Sequence, residues 1–115
     1  MTYRVSIRTV GSVDRSAHDT LEAALEAVEA AARAAADGPQ ARAVDLRARR
    51  WAPSEQVRTR AELRGPERWR PSTRAGNDVL GDGSLQAWTG APERQPVEVG
   101  SGEDAYAALR RTLTA

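Results

Sequence analysis

The residues best placed to do chemistry are arginines. All 17 basic residues of the 115-residue chain are Arg, and ten of them fall between Arg42 and Arg74, in company with Trp51 and Trp69. A guanidinium is planar, permanently charged and fork-shaped, which suits it to phosphate or carboxylate, and an exposed tryptophan beside it can stack on a nucleobase. A GC-rich coding genome also favours arginine over lysine, so spacing carries more information than number. Arg47, Arg49 and Trp51 recur at every second position, as do Arg58 and Arg60, with Arg64 in phase. Arg68, Trp69, Arg70 and Arg74 follow in a stretch punctuated by Pro66 and Pro71. These ten residues form the candidate set for binding a partner or nucleic acid.

Other chemistries are poorly served. The chain has no cysteine, which removes disulfides and thiolate nucleophiles, and one histidine without cysteine cannot assemble an ordinary zinc site. That histidine, His18, stands near Ser16 and Asp19, but the members of a catalytic triad must converge in space, not in sequence. The stretch Asp78 to Ser84 is oxygen-rich like a calcium loop, yet Leu80 takes the third position and Thr89 the twelfth. A phosphate-cradling loop of the P-loop kind needs a lysine that is absent. No catalytic residue, metal or cofactor is therefore expected; an enzyme would require several of Asp78, Asp82, Glu98 and His18 to meet in one pocket.

The elements that must position the arginines follow from periodicity. Tyr3, Val5, Ile7 and Thr9 alternate with Arg4, Ser6 and Arg8, as in a strand with Val5 and Ile7 inward, and Gly11-Ser12 can turn it into a short return strand. Asp19-Thr20-Leu21-Glu22 has the form of a capping box, and apolar residues at helical spacing from Leu21 to Ala35 predict a helix over 19–37 that Gly38-Pro39 ends. In the arginine band the alternation predicts a β-hairpin: Val44, Leu46, Val57, Thr59, Ala61 and Leu63 face the core while the arginines face out. Of the two registers that keep these faces, the rule that opposite charges pair selects Asp45 opposite Arg64, Arg47 opposite Glu62 and Trp51 opposite Arg58. Pro66 to Asn77 reads as a surface loop, Asp82-Gly83 as a second hairpin turn, and Arg94 to Val99 as an edge strand, because Pro96 cannot donate to a central ladder. A second helix is predicted over 103–113.

Residues 1–115 thus read as a single small α+β domain, a mostly antiparallel sheet with two helices on one face. The element order, strands and then a terminal helix, resembles that of the small arm-type DNA-binding domains of site-specific recombinases, without a shared motif. Leu, Ile and Val together supply only 18 residues, so the core is thin and self-association would add burial. No apolar run suggests a membrane span or a secretory signal, and a cytoplasmic setting is expected. The net charge of +1 hides a basic band between acidic flanks. The leading expectation is a non-enzymatic module that contacts itself or an acidic protein partner through the arginine-rich hairpin, the alternative being nucleic acid on the same surface.

Overall fold

The computed structural model describes residues 2–37, 57–90 and 93–114 in full and the backbone of 44–46 and 49–51. Ten elements run in the order β1 (Tyr3–Thr9), β2 (Ser12–His18), α1 (Leu21–Ala36), β3 (Val44–Leu46), β4 (Arg49–Trp51), β5 (Val57–Gly65), β6 (Thr73–Leu80), β7 (Leu85–Thr89), β8 (Gln95–Pro96) and α2 (Ala105–Thr114). Six strands form one antiparallel sheet in the order β2-β1-β5-β6-β7-β8, and β3 and β4 form a two-stranded sheet of their own. The α+β class and the mostly antiparallel sheet are as the periodicity predicts.

The predicted pairing within the arginine band is not. β5 lies between β1 and β6, with Val5 opposite Leu63 and Leu63 opposite Ala75, whereas Asp45 is paired with Arg50 and Trp51 with Val44. The phase of β5 holds from Thr59 onward, where Thr59, Ala61 and Leu63 are buried and Arg64 is exposed, but Val57, expected in the core, is 46% exposed beside a register shift. What decides the partner is burial. Two long neighbours enclose Leu63 and Ala61 completely at the middle of the sheet, an apolar gain that β4, three residues long, cannot match.

The loop expected from Pro66 to Asn77 ends at Ser72, because Thr73–Asn77 pair with β5 as the start of β6, and the tight turns depart from expectation by single residues. Val10 and Gly11 form the two-residue turn that closes β1 on β2, with Gly11 at φ +84°. Between β6 and β7 the loop is three residues long: Leu80 accepts from Gly83, itself at φ +86°, and donates to Ser84. That is the bulged alternative to a two-residue turn. Thr20, not Asp19, caps α1 by accepting from the Ala23 amide at 3.1 Å, and Glu22 instead pairs with Arg110 of α2.

The core gathers Val5, Ala61, Leu63, Ala75 and Ala87 from the strands, Ala24, Leu25 and Val28 from α1, and Ala105 and Leu109 from α2. Every one of these strand residues belongs to the same side of the alternation. α2 buries Ala105, Ala108 and Leu109 and also Tyr106, over whose ring the Arg33 guanidinium stacks at 4.3 Å. β8 is the predicted edge strand, shortened to two residues around Pro96.

Candidate arginine-lined cleft

Register determines what shares the other side of the sheet. Three rows of directly opposed residues cross the strands: Arg4, Arg64 and Arg74; then Arg15, Ser6, Glu62, Gly76 and Trp88; then Arg8, Arg60, Asp78 and Gln86. The first row sets three like charges side by side, an arrangement that costs stability, roughly 0.2 to 1 kcal/mol per pair. Six arginines, Arg8, Arg15, Arg60, Arg64, Arg74 and Arg94, surround a cleft of about 280 Å³ together with Ser6 and a single acid, Glu62. No helix residue lines it.

Two carboxylates and one indole hold half of these guanidinium groups in place. Asp78 accepts from Arg60 Nε at 2.9 Å, from a second Arg60 nitrogen at 3.0 Å and from Trp88 Nε1 at 3.0 Å. The forked hydrogen bonding raises the Arg60 pKa despite the opposing effect of burial. Glu62 accepts from Arg74 Nε at 3.1 Å and lies 3.8 Å from the Arg94 guanidinium. Arg94 in turn sits over the Trp88 ring at 4.8 Å. The ring needs a residue without a side chain beneath it: a Cβ on Gly76 would come within 2.8 Å of Trp88 Cζ2 and would run into the Ala61 carbonyl oxygen. Arg8, Arg15 and Arg64 make no ion pair among the described residues. The cleft therefore combines three positioned guanidinium groups with three unpaired ones.

The ten residues singled out from the sequence divide among four places. Arg60, Arg64 and Arg74 line the cleft. Arg68, Trp69 and Arg70 are exposed in the β5–β6 loop, just beyond the row of three arginines, with Trp69 87% accessible. Glu67 ties this loop by accepting from the Ser72 amide and hydroxyl, which holds its carboxyl below the usual range. Arg58 is turned away: a register shift between Val57 and Thr59 redirects it, and it donates to the Ala35 carbonyl in the last turn of α1. Arg47 lies outside the described residues, as do the side chains of Arg49 and Trp51.

Sequence reasoning missed Arg8, Arg15, Arg94 and the Asp78–Trp88 support. The outward phase of Arg8 was legible, because it alternates with Val5 and Ile7; its neighbourhood to Arg60 was not, since 51 positions separate them. Comparison with protein-family models, with characterised proteins and with solved structures finds no match to this chain. The chemistry of the cleft has to carry the reading. The residues named for a pocket lie apart: His18 is on β2 at one edge of the sheet, bonded to Ser16 at 2.8 Å, while Glu98 follows β8 at the opposite edge and Asp82 is engaged with Ser84 in a turn. Among the described residues no three His, Asp or Glu side chains are grouped to hold a metal, and no helix is long and apolar enough to cross a membrane.

Proposed function

We propose that this chain is a non-enzymatic binding module that takes the phosphate backbone of single-stranded nucleic acid on its arginine face. The observation that carries the reading is the crowding of six guanidinium groups from four strands and one loop around one cleft, three of them held by Asp78 and Glu62 and three, Arg8, Arg15 and Arg64, in no ion pair among the described residues. Like charges forced together cost folding energy that an anion returns on binding. A protein partner fits less well. Stable protein interfaces centre on a desolvated apolar or aromatic core depleted of charge, whereas this cleft is nearly all guanidinium, and Trp88 beneath it is only 2% exposed. Nucleic-acid surfaces are polar and strongly positive. Single strands also favour a basic groove with an aromatic side chain at hand for stacking, and Trp69 stands free at the end of the arginine row.

The test is a titration of a labelled single-stranded oligonucleotide at several salt concentrations, with duplex DNA and polyglutamate as competitors. Affinity should fall linearly with salt on a double-logarithmic plot, at about 0.7 per phosphate neutralised, and the single strand should compete best. Equal competition by polyglutamate would move the reading to an acidic protein partner. Binding indifferent to salt would remove it.

A further inference from the structure

The six-stranded sheet has two edges, β2 and β8, and they differ. β8 is two residues long and carries Pro96, devices that close an edge to further pairing. β2 is seven residues long, regular along its whole register from Tyr3 opposite His18 to Thr9 opposite Ser12, and free of proline and bulges. Six of its seven residues are exposed. An edge so long and so unguarded is a template for another strand.

We infer that β2 pairs antiparallel with β2 of a second copy of this chain, in the register centred on Ser16. Hydrogen-bond phase and charge both lead there. Because Thr9 and Ser12 close a two-residue turn, Ser12, Asp14, Ser16 and His18 spend their backbone groups on β1, and Val13, Arg15 and Ala17 leave theirs outward. A two-fold axis perpendicular to the sheet preserves its faces, so each residue must meet one of the same parity. Centring on Asp14 sets that carboxylate against itself, and centring on Arg15 does the same with two guanidinium groups. Centring on Ser16 sets Asp14 opposite the second copy's His18, Arg15 opposite Ala17, and the two Ser16 side chains opposite each other. Of the registers that pair at least five of the seven residues of β2, only this one has no opposed like charges and two acceptor–donor pairs.

The pairing joins two six-stranded sheets into one. Both arginine faces then look the same way, with Arg15 of each cleft at the seam. The inference stands on the edge strand alone and does not depend on what the cleft binds.

The chain has no cysteine, so any disulfide in a single-cysteine variant is intermolecular. Opposed residues in a non-hydrogen-bonded antiparallel pair have Cα atoms about 4.5 Å apart, within disulfide reach, so Ser16→Cys should oxidise to a covalent dimer at least about tenfold faster than Arg15→Cys or Val13→Cys. Sedimentation equilibrium of the native chain should give a species of twice 12.4 kDa, and Ser16→Lys should return it to a monomer with unchanged circular dichroism. A native chain that stays monomeric at high concentration, with Ser16→Cys cross-linking no faster than the other two, overturns the inference. Fastest cross-linking through Arg15→Cys overturns it as well, because the register is then different.

Discussion

One sheet presents two faces built on opposite terms. On the buried face, Leu63 and its neighbours share one core cluster with residues of α1 and α2, and nearly every side chain in it is aliphatic. On the arginine face, the next residue along the same strand, Arg64, is exposed between two further arginines. The first face supplies the burial on which the fold depends, and the second combines ion pairs to Asp78 and Glu62 with a row of like charges, Arg4, Arg64 and Arg74, whose repulsion that burial offsets. The row of opposed arginines is what motivates the proposed binding function.

The contrast can be broken most severely from the buried side. Leu63→Ala should lower unfolding free energy by about 2 to 5 kcal/mol, because it empties a fully enclosed site, as urea denaturation would show. Gly76→Ala comes next, at about 2 to 3 kcal/mol, since its methyl meets backbone and indole that cannot both retreat. Asp78→Asn should cost about 2 kcal/mol by weakening the forked bonds to Arg60 and the acceptor for Trp88. It is the one polar residue of the arginine face on which the fold should lean. Arg64→Ala sharpens the comparison by its small effect: the unfolding free energy should stay within about 0.5 kcal/mol of the native protein's or rise, because a repulsive neighbour is removed. A marked fall would show that the guanidinium groups stabilise the sheet.

The smallest effect concerns pH. Arg111 first, and then the Gly100 amide, hold the Glu103 carboxyl below the usual carboxylate range. A group depressed in the folded state contributes stability that is complete above its unfolded value and lost as pH falls through its folded one. Hydrogen-exchange protection of the Gly100 amide should therefore persist at neutral pH and decline only in acid below the ordinary glutamate range.

Local features were legible in the sequence and long-range ones were not. The strand phase of Val5 and Ile7, the inward stripe of α1, and the edge character around Pro96 all follow from periodicity or from the missing amide of proline. The hairpin predicted across residues 44–63 failed because periodicity specifies faces and not partners. Val57 to Gly65 would satisfy its pattern beside any strand of matching phase, and β1 and β6 enclose it better than β4 does. The cleft inherits that failure. Arg60 and Arg64 were identified correctly as outward-facing, but Arg8 and Arg15 join them only once β1 is known to lie against β5. Arg58 was lost for a different reason, an irregularity in β5 that alternation cannot foresee.

The most direct measurement compares the native chain with the triple variant Arg8→Ala, Arg15→Ala, Arg64→Ala for binding a single-stranded oligonucleotide across a range of salt. The account predicts an unchanged or higher thermal midpoint, weaker binding at every salt concentration, and a double-logarithmic salt slope shallower by about 2, as expected when three phosphate contacts are lost. Binding and slope equal to those of the native chain would contradict it.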